Sequence, residues 1–298
     1  MRLNNQKRLR YWLNLIASAI LSIFLGFFAI NLYISNHMAQ SYLHPARIIP
    51  SGNLLRKDNI PYQAIELTTQ DGIKLAAWYT PPQNETVILV THGFGDSRPE
   101  EIYAMFAKHG YGVLAWEFRA HGVSGGDIST LGYKEQLDVQ AALDYALAQP
   151  DVKHIGAWGR SMGSATLILS AAKDPRIEAL VSDSAFASLK DVLRLSPPME
   201  FAQPLMSFFW EWSTGARIDQ ISPVDEIAKI SPRPVFIIDG VKTLEDRTSS
   251  PYRLYDAANQ PKQIWVEVGV SHSGMHRNNP QKYEGQVIDF FDKWLLGK

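Results

Sequence analysis

The sequence predicts an α/β fold in which a mostly parallel sheet carries helices on both faces, and three observations predict it. Val87-Ile88-Leu89-Val90 and Pro234-Val235-Phe236-Ile237-Ile238 are apolar without alternation, as strands covered on both sides are. Between such runs lie segments of helical spacing, giving the strand–helix alternation of parallel sheets. Gly159-Arg160-Ser161-Met162-Gly163 stands where His154-Ile155-Gly156-Ala157-Trp158, a short buried strand, passes directly into the small-residue helix Ser164–Ala172. With 298 residues, 46% of them hydrophobic and 20% charged, the chain is long enough for one large domain with a substantial core.

At the N-terminus, Arg2, Lys7, Arg8 and Arg10 precede residues 11–34, which carry no charge. A spanning helix needs roughly 20 apolar residues, whereas a cleavable signal has a core of about 7 to 15 followed by a small-residue site. The segment is read as an uncleaved single-pass membrane anchor in preference to a cleaved signal or a buried helix. The basic flank predicts a cytoplasmic N-terminus over residues 1–10 and an extracytoplasmic body. Residues 35–60, with Pro45, Pro50 and Gly52, read as a tether, and residues 61–298 as the folded domain.

The domain opens on a hairpin, Ile65–Thr69 and Ile73–Tyr79, joined at Asp71-Gly72. After the strand at residues 87–90 come a helix from Pro99 to His109, a strand at Tyr111–Trp116, a helix from Leu131 to Leu147, and the strand that leads to Ser161. Ile177–Val181, Pro234–Ile238 and Gln263–Val268 supply three further strands, and Pro280–Leu296 a closing helix. An insertion at about 195–222 is rich in proline and aromatics, including Phe208-Phe209-Trp210-Glu211-Trp212. It is read as a small lid or acyl-binding wall, with packing on the core or contact with a membrane surface as alternatives.

A strand-to-helix turn this sharp forces Ser161 towards positive φ and requires glycine on both sides. Its gain is exposure of the hydroxyl in front of a helix N-terminus. A serine hydroxyl is a weak nucleophile at neutral pH and needs a base within hydrogen-bond reach. His272, in Gly269-Val270-Ser271-His272-Ser273-Gly274 after the last strand, is the best-placed base. The absence of cysteine excludes a thiol nucleophile, disulfides and cysteine-based zinc sites. His272 and His276 lack a third ligand, so no metal is expected, and no cofactor is required. A formal net charge of −1 without a basic block argues against nucleic acid as a partner.

With His92-Gly93-Phe94-Gly95, Arg119-Ala120-His121-Gly122-Val123-Ser124, Gly159–Ser164 and the His272 loop, the chain resembles the α/β-hydrolase superfamily from about residue 60 onward. It is closest to the membrane-anchored bacterial esterase-like and serine-aminopeptidase-like branch. The resemblance implies that the backbone N–H groups of Phe94 and Met162 form an oxyanion hole. It also implies an aspartate three residues after the glycine that ends the penultimate strand, but here, after Gly240, that slot holds Thr243. Asp246 is the first candidate for the catalytic acid. Glu245 and Asp183 are alternatives, Asp239 also lies near, and a chain with no functional acid is left open. Asp183-Ser184 and Glu117 are otherwise read as loop anchors or caps, and His92 and His121 as ties for loop backbone. The implied activity is that of a serine hydrolase acting on a small-molecule acyl substrate, with esters as the first class. An extracytoplasmic exopeptidase or amidase and a non-catalytic anchored protein are the alternatives.

Overall fold

In a computed structural model of the protein, residues 2–298 are described, with side chains from Gln6 onward, and the chain divides into two compact units. One consists of helix α1 (Arg2–Leu43), as far as Tyr42, together with Arg194–Gly215. The other comprises Leu43–Leu193 and Ala216–Lys298.

Helix α1 does not stop at Ile34, where the segment read as spanning stops. It continues to Leu43, so the tether expected from residue 35 begins about two turns later. No proline or glycine interrupts residues 35–43, and Ser35 and Ala39 are buried, which gives this last stretch packing as well as propensity. A further helical turn, Asn53–Lys57, lies within the remaining tether, where Glu100 accepts hydrogen bonds from the N–H groups of Gly52 and Leu54.

The larger unit is an eight-stranded sheet flanked by helices. In chain order its elements are β1 (Gln63–Thr68), β2 (Lys74–Thr80), β3 (Thr86–Thr91), α2 (Glu100–Lys108), β4 (Gly112–Trp116), α3 (Glu135–Leu147), β5 (His154–Arg160), α4 (Met162–Ala171) and β6 (Ala179–Asp183). After the insertion, whose helix is α5 (Gln203–Thr214), come β7 (Val235–Val241), α6 (Ser250–Ala257), β8 (Lys262–Val268) and α7 (Pro280–Phe291). The strand order is β1-β2-β4-β3-β5-β6-β7-β8, and every pairing from β4 to β8 is parallel. Only the β1–β2 hairpin and its junction with β4 are antiparallel.

The unbroken apolar strands are buried on both faces, as their sequences require. Ile88, Val90, Val113, Ala115, Phe236 and Ile238 pack with Phe106 of α2 and with Tyr283 and Phe291 of α7, while the intervening positions face helices on the other side. Helix α3 starts at Glu135 rather than Leu131 because the Glu135 carboxylate folds back on the preceding loop. It accepts from the N–H groups of Thr130 and Gly132 and from the Thr130 hydroxyl, leaving Leu131 at φ 52°.

Candidate active site

Between the last residue of β5, Arg160, and the first of α4, Met162, Ser161 alone makes the turn, at φ 52° and ψ −117°. Such a backbone is strained for any residue with a Cβ, and it is tolerated because the surroundings fix it. A Cβ at Gly159 would stand 2.7 Å from the Ser164 nitrogen, and one at Gly163 would stand 2.5 Å from the His92 carbonyl oxygen. Ser161 N–H donates to the Asp183 carbonyl at 2.8 Å, and Gly163 N–H to the His92 carbonyl at 3.1 Å. The bend is thereby tied to the ends of β6 and β3, and its half-buried hydroxyl stands at the C-terminal edge of the sheet.

His272 starts far from it. Strand β8 lies three strands from β5, roughly 14 Å at about 4.8 Å per strand, so its loop must fold back over the ends of β7 and β6. Two bonds trace that path: Gly269 N–H donates to the Val241 carbonyl at 2.9 Å, and Ser273 N–H donates to Ser184 Oγ, just past β6, at 3.0 Å. The result is a separation of 2.9 Å between His272 Nε2 and Ser161 Oγ. With the ring neutral and its proton on Nδ1, the serine hydroxyl donates to Nε2, which is the arrangement a general base requires. Burial of part of the ring lowers the His272 pKa below the usual 6.5, and the negative charge of Asp183 opposes that shift. Ser184 and Ser273, which touch each other here, both sit at φ 57°, so three strained serines meet at this place.

Among the acids named from the sequence, Asp183 and Asp239 lie at this cluster, and Asp183 is the one whose charge acts on His272. The Asp183 carboxylate is fully buried at the end of β6, where Asp183 is the register partner of Arg160. Tyr283 Oη donates to Oδ2 at 2.6 Å and Ser184 Oγ donates to Oδ1 at 2.8 Å. Burial raises its pKa, against the charges of Arg160 and His272 and these two hydrogen bonds. Asp246, by contrast, is exposed, and its carboxylate is taken up locally by the N–H and hydroxyl of Thr248. The structure does not bring Asp246 or Glu245 to the imidazole. Both belong to the exposed stretch 242–248 beyond β7, whose turns close on themselves. Thr243, in the usual acid slot, caps Asp246 N–H through its hydroxyl at 3.3 Å. Asp239 lies nearer, with its pKa raised to about 7 by burial and by the charge of Asp183, and it accepts from Gly240 N–H at 2.8 Å.

The two backbone donors stand beside the serine. A Cβ built on Gly93 would lie 3.4 Å from Ser161 Cβ, which puts the Phe94 peptide against the bend, and Met162 N–H is the first orphan donor of α4. Neither N–H donates to a protein acceptor among the described residues. The loop that carries Phe94 is pinned by two histidines of one tautomer. His92 Nδ1–H donates to the Gly93 carbonyl at 2.7 Å and Nε2 accepts from Phe118 N–H at 3.0 Å. His121 Nδ1–H donates to the Arg119 carbonyl at 2.9 Å and Nε2 accepts from Gly95 N–H at 3.1 Å. Burial lowers the His92 pKa to about 3, so the ring stays neutral. Glu117 is buried and paired with Arg98 at 3.1 Å, which makes it an anchor of the same loop.

Two contributors carry no recognisable signal in the sequence. Tyr283, an aromatic on the apolar face of α7, accepts from Trp158 Nε1 at 2.8 Å and relays that contact to Asp183. Arg160 fills the free position of the glycine-serine-glycine motif and pairs with Glu101 at 2.9 Å. It lines an open cleft of about 430 Å³ with Glu101, Ser273, His276, Arg277 and Pro280, adjoining the His272 loop.

A parallel sheet with a serine on a tight strand–helix turn and a histidine returning from the last strand defines the α/β-hydrolase class. Residues 82–232, about half of the chain, match the model of the serine aminopeptidase S33 family, and the chain belongs to that family. It is similar to the Pyrococcus furiosus esterase Pf2001, with a TM-score of 0.70 and 25% identity over 84% of this chain and 99% of that one. The Bacillus subtilis protein YqkD, itself uncharacterized, is 27% identical over 225 residues, 71% of this chain and 73% of the relative. The Arabidopsis thaliana α/β-hydrolase domain-containing protein WAV2 is 28% identical over 287 residues, 87% of this chain and 79% of the relative. The protein is thus a hydrolase by fold and family.

Proposed function

We propose that the protein is a serine hydrolase that cleaves carboxylic esters through an acyl-enzyme. The observation that carries this reading is the 2.9 Å contact of His272 Nε2 with the hydroxyl of a serine held at positive φ. Ser161 Oγ attacks the acyl carbon as its proton passes to His272 Nε2, and the oxyanion that forms is met by the N–H groups of Phe94 and Met162. His272 then gives the proton to the departing alkoxide, and the acyl group stays on Ser161. A water that loses its proton to the same nitrogen attacks the acyl carbon, and collapse returns the Ser161 hydroxyl and a carboxylic acid.

Asp183 is the acid in this reading. It supplies the negative charge that favours the imidazolium, through the field that also raises the His272 pKa. Its presence supports catalysis over the non-catalytic alternative that Thr243 had suggested. Esters are favoured over peptides with a free amine because such an amine needs a carboxylate of its own. The one carboxylate that lines the adjoining cleft, Glu101, is held by Arg160. Esterase is also the activity named for the P. furiosus structure that this chain resembles.

The membrane reading of α1 belongs to the same proposal, with residues 1–10 cytoplasmic, 11–34 spanning and the hydrolase unit outside. Twenty-four uncharged residues in a helix reach about 36 Å, enough to span. The helix also runs on unbroken to Leu43, past the place where a signal would be cut. Full-length protein in detergent should turn over nitrophenyl esters faster than aminoacyl anilides and should react with a fluorophosphonate at Ser161. Ester turnover that persisted unchanged in Ser161→Ala would overturn the assignment.

A further inference from the structure

The smaller unit holds a helix with apolar residues on both sides. In α5, Met206, Trp210 and Thr214 form a buried stripe. On the opposite side Phe208 is 53% and Trp212 78% exposed, their rings 6.0 Å apart at helical spacing, with Phe201 37% exposed in the turn just before the helix. Polar residues would be expected there on a helix in water. Instead Glu211 is the one charged residue of the twelve in α5. Exposed aromatic surface of this kind marks a contact yet to be made.

The partner is indicated by what the insertion already touches. The Phe201 ring packs on Phe27 of α1 at 5.6 Å between centroids, and the Ala202 carbonyl oxygen lies 3.1 Å from Ser35 Oγ. Phe27 is seven residues before Ile34, the last residue of the segment read as spanning, about 10 Å along the helix axis. Interfacial helices bury their apolar side about 5–10 Å below the headgroups. From these contacts we infer that α5 is an interfacial helix, lying in the outer leaflet beside α1 with Phe201, Phe208 and Trp212 among the acyl chains. This rests on the reading of α1 as a membrane anchor, whose lipid-facing surface α5 extends. The occupant is the acyl–headgroup boundary itself and not an anionic headgroup, since α5 has no basic residue to recognise one. The insertion read from the sequence as a lid is on this view a second point of membrane attachment.

The absence of cysteine makes the test direct, because single cysteines can be placed and labelled in the full chain. A nitrobenzoxadiazole dye would be attached in Phe24→Cys, Phe208→Cys, Trp212→Cys, Ser213→Cys and, as the aqueous control, Asp151→Cys. Each protein would be reconstituted in phosphatidylcholine vesicles containing lipids with a nitroxide high or low on the acyl chain. Ser213→Cys keeps both aromatics and serves if the other insertion variants fold poorly. The expected result is blue-shifted emission for the labels at 24, 208, 212 and 213, with the last three lost mainly to the shallow nitroxide. The label at 151 should keep its emission, and adding phosphatidylglycerol should change none of this. Quenching at 24 with water-like emission at 208, 212 and 213 would overturn the inference and leave the anchor standing. No quenching at 24 would remove the anchor reading and this one with it. Insertion labels shielded from water yet untouched by either nitroxide would show a protein partner or a second copy on this face, which also overturns it.

Discussion

Replacing Asp183 by asparagine separates the two acids that sequence and structure favour. Opposite charges about 5 Å apart at an effective dielectric near 20 attract by about 3 kcal/mol, which as a loss of imidazolium stabilisation is roughly two orders of magnitude in rate. A carboxylate hydrogen-bonded to the imidazole, as in the serine-protease template, is worth about four. Asp183→Asn should therefore lower kcat/KM for a nitrophenyl ester by about 10²- to 10⁴-fold. Asp246→Asn and Glu245→Gln should change it by less than about threefold, since exposed charges are screened by solvent. Stability provides the control. The folded-state pKa of Asp183 is raised by burial, so its ionised form opposes folding above that pKa, and Asp183→Asn should melt at the same temperature or higher. A stable Asp183→Asn with nearly full turnover, beside an inactive Asp246→Asn, would refute the assignment of the acid.

Three further outcomes follow from the same contacts. His272 must be neutral to act as a base and its pKa is lowered, so activity should fall as pH drops through a midpoint below 6.5; Asp183→Asn removes a field that raises it and should move that midpoint lower still. Ser184→Ala leaves Ser273 N–H without its acceptor and loosens the His272 loop, and kcat should fall by about tenfold or more with KM little changed. Tyr283→Phe removes a donor to a buried carboxylate and the acceptor of Trp158 Nε1, so urea denaturation should show a loss of about 2–4 kcal/mol.

What was legible in the sequence was what is decided locally. The glycines around Ser161 are required by atoms within a few residues or on the adjacent strand, and their pattern therefore survives in one dimension. His272 is visible because it follows the last strand in a glycine-bounded loop. The acid proposed here was not, because distance along the chain misleads at the end of a parallel sheet. Asp246 follows β7 in sequence, whereas Asp183 ends the strand paired with β5, directly under the path by which the histidine loop returns. Apolar content likewise marks how far α1 can span but not how far it is helical, so the overrun to Leu43 could not be read from residues 11–34. The pairing of Phe27 with Phe201 joins segments far apart in the chain and leaves no local trace.

Two buried carboxyl groups near one hydroxyl raise the question of which carries the charge, and the donors around each decide it. Asp183 receives Tyr283 Oη and Ser184 Oγ, and lies in the fields of Arg160 and His272. Asp239 accepts from Gly240 N–H and lies within reach of the same Ser184 hydroxyl, but burial above all, with the charge of Asp183, pushes its pKa up to about 7. When like charges crowd, the member with more side-chain donors and nearer cations ionises and its neighbour holds the proton. In the proposed mechanism Asp239 is then a protonated spectator below neutrality and Asp183 the anion whose field reaches His272. Asp239→Asn should accordingly leave kcat/KM at about pH 6 within roughly twofold of the parent, because it replaces a neutral acid by a neutral amide. A loss comparable to that of Asp183→Asn at the same pH would move the negative charge to β7 and reverse the roles of the pair.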